Sequence, residues 1–244
     1  MPRYKLTIEY FGGAFSGWQR QKNAITAQEV LEDALTKLAG KTVSVVGSSR
    51  TDAGVHALHQ VVHADMELPI PAGKIPFAVN TILPDTIKVL ECEEVGEDFH
   101  ARYSTKRKAY VYKMYVSAHV HPTRAMTHLR VIPPVDVEKM KKALPALIGK
   151  HDFKCFLATG SNVKSTVREI YRAELTQDGD ELTFYVEGNG FLYNMVRIIV
   201  GTLLYIGKGK ILPEDMEKII EECDREKAGV TAPPHGLYLK KVWY

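Results

Sequence analysis

Arg50-Thr51-Asp52-Ala53-Gly54-Val55-His56-Ala57 stands between two apolar, strand-like runs, residues 42–46 before it and 59–66 after it. It is short and polar, so it reads as a loop joining two strands. Asp52 lies two residues from Arg50 and two from Gly54. The arginine can hold the carboxylate ionised, and the glycine lets the backbone turn sharply. Loops that carry such groups between rigid strands are a common seat of chemistry.

Outward from this loop, residues 4–10 alternate and predict a strand. A glycine-rich loop follows over residues 11–23. Thr26 and Glu29 then form a capping-box pattern ahead of Val30, Leu31, Ala34, Leu35 and Leu38, which share one helical face. Gly40 ends that helix. Residues 76–83 predict a short helix and 87–94 a strand, giving the order β-α-β-β-α-β. The second half has a similar order. Residues 109–116 form a strand with Tyr110, Tyr112 and Val116 on one face, and 137–148 a helix broken near its end by Pro145. Residues 167–176 and 181–187 form a hairpin turned by Asp178-Gly179. An apolar helix over 193–206, an amphipathic one over 213–223 and a closing strand over 237–243 complete the chain. This pattern predicts an α+β protein of two ferredoxin-like (β-α-β-β-α-β) halves with antiparallel sheets meeting at a central cleft. The expected division is 1–104, carrying the Asp52 loop, and 105–244, carrying Tyr110, Arg197 and a basic face.

With 244 residues, 45% of them hydrophobic, the chain can bury a sizeable core. Its longest apolar run, residues 195–206, contains Arg197 and is too short to cross a bilayer. The N-terminus lacks a signal-peptide hydrophobic region, so a cytoplasmic protein without membrane contact is expected. Cys92, Cys155 and Cys223 are odd in number and widely spaced, which favours buried free thiols over a disulfide frame or zinc site. The net charge of +3 hides a strong asymmetry. Residues 102–172 hold 15 Lys and Arg against 4 Asp and Glu. A basic stretch of this strength suits a polyanion, and nucleic acid is the usual one.

Several residues then stand out. Arg197 interrupts the apolar run Met195-Val196-Arg197-Ile198-Ile199-Val200, where a guanidinium is costly unless it is paired. It meets either a functional carboxylate, Asp52 being the natural partner, or backbone carbonyls at a domain seam. A paired Asp52 stays ionised and can act as a nucleophile, whereas an isolated one reads as a turn residue bonding its own loop amides. His56, His59, His63 and Asp65 invite a metal reading, but their spacing fits no strong ligand motif. Tyr110 follows Lys106-Arg107-Lys108, and an aromatic beside basic residues can stack on a base. Trp18 and Gln19, and Phe99, His100 and Arg102, either touch RNA or simply complete the fold. No P-loop, no G-x-G-x-x-G after a strand and no G-x-S-x-G is present. The rival functions are a non-catalytic RNA-binding module and a metal-dependent nuclease or hydrolase built on the histidines.

Taken in order, Arg50–Ala57, 15–21, 99–102, Tyr110-Val111-Tyr112, 189–201 and Gly236-Leu237-Tyr238-Leu239 resemble the tRNA pseudouridine synthase A family over nearly the whole chain. Ser49 stands where a glycine usually precedes the arginine, and Ala27-Gln28 where valine-glutamine is usual. The resemblance implies conversion of uridine to pseudouridine at positions 38, 39 and 40 of the tRNA anticodon stem-loop. It implies Asp52 as nucleophile, Tyr110 stacked on the target uracil and Arg197 paired with Asp52. It further implies Leu237 as a wall of the pocket; Arg50, Phe99, His100, Arg102, Trp18 and Gln19 are expected substrate contacts. A homodimer without metal or cofactor is expected.

Overall fold

The computed structural model describes residues 1–161 and 163–244. The chain divides into two compact units, Met1–Lys106 with Tyr238–Tyr244, and Arg107–Leu237. Both mix helices with sheet, as an α+β chain should.

The first unit runs β1 (Arg3–Tyr10), α1 (Ala27–Ala39), β2 (Val46–Gly47), β3 (His56–Asp65), α2 (Ile75–Asn80) and β4 (Ile87–Val95). β1 is antiparallel to both β3 and β4, with Leu6 opposite Val62 on one side and Cys92 on the other. The alternation read in β1 is real: Tyr4, Leu6, Ile8 and Tyr10 are all buried. α1 starts where Thr26 Oγ1 accepts the Glu29 N–H at 3.3 Å and stops where Gly40 turns left-handed at φ 67°. It buries Leu31, Ala34 and Leu35.

One expected strand is mostly missing. Residues 42–45 form no ladder, and β2 is only two residues long. Side chains of α1 take the backbone bonds that a neighbouring strand would have made. Thr36 Oγ1 accepts from the Val43 N–H, Glu32 Oε1 accepts from the Val45 N–H, and Gln28 Nε2 donates to the Val45 carbonyl.

The second unit runs β5 (Arg107–Val116), β6 (Leu129–Val131), α3 (Val137–Lys142), β7 (Gly149–Asp152), β8 (Val167–Asp178), β9 (Glu181–Gly188), α4 (Met195–Gly207) and α5 (Asp215–Glu222). Its strands lie in the order β5-β9-β8-β7, with β6 parallel to β5. The short strands β6 and β7 carry little alternation and escape the sequence pattern. The expected helix over 137–148 divides at Ala143 into α3 and a 3-10 turn, Leu144–Leu147, that holds Pro145. α4 buries nearly every apolar side chain and approaches the 229–230 backbone closely. A Cβ on Gly201 would lie 1.7 Å from the Val230 carbonyl oxygen.

The last strand, β10 (Leu237–Trp243), departs from the expected division. It pairs parallel with β3, Tyr238 opposite His56 and Leu239 opposite Ala57, so residues 238–244 belong to the first unit. Parallel partners remote in sequence leave no local signal. Among the described residues, no helix is long and apolar enough to cross a membrane.

Candidate active site

In the first unit, the Asp52 loop is gripped by the loop of residues 11–18. The Trp18 N–H donates to the Thr51 carbonyl at 3.0 Å, and Tyr10 Oη lies 2.7 Å from Thr51 Oγ1. The turn closes on itself where the Val55 N–H donates to the Asp52 carbonyl at 3.1 Å. Gly54 takes φ 80°, a left-handed conformation that glycine adopts without strain. Gly12 must also be glycine, because a Cβ there would lie 2.2 Å from the Val55 carbonyl oxygen. Its N–H donates to His56 Nδ1 at 2.9 Å. The His56 ring is stacked on Tyr238 at 4.5 Å and tilted against Phe11 at 4.9 Å. Asp52 itself is half-buried between buried Thr51 and exposed Ala53. A carboxylate so placed has a fixed backbone and a side chain that solutes can reach.

The other first-unit candidates separate into two groups. Trp18 is 1% exposed and stacked on Tyr10 at 6.1 Å. This corrects the expectation that it contacts substrate, since a ring so deeply seated cannot meet a base without leaving the core. Gln19 is exposed and donates to Gln28 Oε1 at 2.8 Å, and Arg50 is exposed. Phe99 and His100 lie instead around His63, and the Arg102 guanidinium lies 5.7 Å over the Tyr103 ring. The Ala101 N–H donates to His63 Nδ1 at 3.1 Å, His63 and His100 rings are 4.8 Å apart, and Lys5 Nζ sits 5.9 Å over Phe99. Tyr103, which the sequence reading passed over, is 77% exposed and stacked on His100 at 4.4 Å.

The three histidines of β3 do not converge. His56 serves Gly12, His63 serves Ala101, and among the described residues the buried His59 Nδ1 has no hydrogen-bond partner. Burial holds the pKa of both His59 and His63 below the ordinary imidazole value. Among the described residues, no group of three His, Cys, Asp or Glu side chains is placed to hold a metal ion.

In the second unit, Tyr110 is 9% exposed on β5, opposite Val186, and meets Phe191 edge-on at 5.1 Å. Arg197 on α4 donates Nε–H to the Ala232 carbonyl at 2.7 Å and Nη1–H to Asn194 Oδ1 at 2.6 Å. Asn194 precedes the helix in the left-handed region, φ 59°, so its short polar side chain turns back to the guanidinium. The backbone-carbonyl role read for Arg197 is thus present. Tyr112 Oη donates to the Pro233 carbonyl at 2.7 Å. Burial raises the Tyr112 hydroxyl pKa, and the Arg197 charge opposes that rise. Leu237 is buried just after Gly236, where a Cβ would lie 2.7 Å from the Tyr112 ring.

A family model described as tRNA pseudouridine synthase matches residues 6–104 and 143–244. A tRNA pseudouridine synthase A of Thermoanaerobacter sp. is 48% identical over 244 residues, covering all of both chains. That of Ruminiclostridium cellulolyticum is 49% identical over 245 residues, again covering all of both. That of Bacillus licheniformis is 47% identical and covers 99% of each chain.

Proposed function

The chain belongs to the tRNA pseudouridine synthase A family, and on that premise we propose that it isomerises uridine at positions 38, 39 and 40 of the anticodon stem-loop, with Asp52 as nucleophile. Family membership makes it an isomerase that converts uridine to pseudouridine in tRNA. The observation that carries the finer reading is the Asp52 loop. It holds one half-buried carboxylate on a backbone pinned by Trp18 and Phe15.

The chemistry fits a carboxylate acting without a redox partner. The N1–C1′ bond breaks, the uracil turns, C5 bonds to C1′, and the C5 proton is released while N1 gains one. No atoms are gained or lost. An ionised Asp52 attacks either C1′ of the ribose or C6 of the uracil, and both routes need the base out of its stack. That extrusion costs a few kcal/mol, less near a loop than deep in a helix. Tyr110, Arg197 and Leu237 carry the roles that the resemblance implies. The basic stretch of residues 102–172 contacts phosphates and positions the stem without reading its sequence. The protein works on tRNA in the cytoplasm as a homodimer.

The test is to map pseudouridine in anticodon-arm transcripts incubated with the purified protein alone. Modification confined to positions 38–40 is expected. Modification elsewhere, or none, overturns the assignment.

A further inference from the structure

Five arginines of this fold answer a carboxylate: Arg3 meets Asp65, Arg20 Glu32, Arg107 Glu187, Arg124 Asp180 and Arg172 Glu174. Arg168 differs. It is half-buried at the start of β8, and among the described residues its guanidinium bonds two backbone carbonyls, Ser165 at 2.9 Å and Val167 at 2.6 Å. Both bonds use Nη1, so among the described residues Nε and Nη2 have no hydrogen-bond acceptor. No acid acts on its charge, and burial alone lowers its pKa.

The side chain passes Gly190, where a Cβ would lie 3.7 Å from Nε. The neighbouring Asn189 is fixed to β8: its N–H donates to the Glu169 carbonyl and its Oδ1 accepts the Glu169 N–H, both at 3.0 Å. Gly190 leads directly to Phe191, whose ring meets Tyr110. An unanswered, partly desolvated cation costs stability. Partly desolvated charges cluster at functional sites. Arg168 also lies within the strongly basic stretch of residues 102–172.

We infer that Arg168 is a seat for a phosphodiester group of the tRNA, close to the nucleotide that Tyr110 receives. The inference rests on the proposed function and adds a specific contact to it. A forked guanidinium with two unused donors suits a phosphate oxygen pair.

Arg168→Met keeps the length of the stem and removes the charge, and Arg168→Lys keeps the charge without the fork. Three quantities are measured for each: melting temperature, affinity for an anticodon-arm transcript across a salt series, and pseudouridine formation. Arg168→Met is expected to melt at or above the wild-type temperature, to bind RNA about tenfold more weakly, and to reduce the salt slope by about one. Arg168→Lys is expected to restore the slope but only part of the affinity. A lower melting temperature with unchanged RNA affinity, or failure of Arg168→Met to fold, makes the residue structural and overturns the inference. Absence of pseudouridine with the wild-type protein defeats the proposed function itself, a different result from unchanged binding by the variants.

Discussion

Gly12→Ala tests how the fold holds its key loop. A Cβ at residue 12 would lie 2.2 Å from the Val55 carbonyl oxygen, 2.3 Å from its carbon and 2.8 Å from the Gly54 carbon. These are backbone atoms, so no side chain can rotate away. Restoring ordinary contact requires a shift of about 1 Å, and overpacking of this kind typically costs about 1–3 kcal/mol. The same shift pulls the Gly12 N–H from His56 Nδ1, now 2.9 Å away. Losing that bond adds about 1 kcal/mol. A total of about 2–4 kcal/mol follows, which lowers the melting temperature by about 5–15 °C for a chain of this size. Asp52 would move with its loop, and a misplacement of about 1 Å costs about 100-fold in turnover. Urea unfolding followed by the fluorescence of buried Trp18 reads the first effect, and pseudouridine formation per folded molecule reads the second. A Gly12→Ala protein with wild-type stability and turnover would refute the reasoning.

Further expectations follow from the same packing. Trp18→Ala should lose about 3–5 kcal/mol of stability, as a fully seated ring does; a raised KM for tRNA without loss of stability would return Trp18 to the substrate surface. Burial pushes the thiols of Cys92 and Cys155 up to about 12, so both should resist iodoacetamide in the native protein at pH 8, with half-exposed Cys223 labelled first. Mass spectrometry before and after unfolding checks the order. His59, His63, His128 and His235 are all held by burial below the ordinary value of 6.5. The unfolded chain therefore binds protons first. Stability is full above pH 6.5 and falls as the pH drops below it; His63→Gln should flatten that fall in urea titrations, and an unchanged slope would contradict the assignment.

What the sequence discloses here is mostly local. The Thr26 cap and the left-handed Gly40 act within a few residues and are where the pattern placed them, while the α-helix ahead of Pro145 ends earlier than expected, at Lys142. The turn around Asp52 is also legible, because Gly54 and the residues it turns are consecutive. What escapes depends on partners remote in the chain. Residues 42–45 look like a strand until α1 side chains claim their amides. β10 joins the first unit through a parallel pairing with a strand some 180 residues earlier. Trp18 in a polar loop reads equally as an RNA contact or as a buried ring, and its stack on Tyr10 shows it to be core. Arg168 is one cation among many until its partial burial and its two backbone-carbonyl bonds are seen.

At the centre of the account is one half-buried carboxylate attacking a nucleotide. Single-turnover release of tritium from C5-labelled uridine in tRNA, with wild-type protein and Asp52→Asn side by side, addresses it most directly. Equal tRNA binding by both, with release by the wild type alone, is the predicted outcome. Release by Asp52→Asn at a rate near that of the wild type would contradict it.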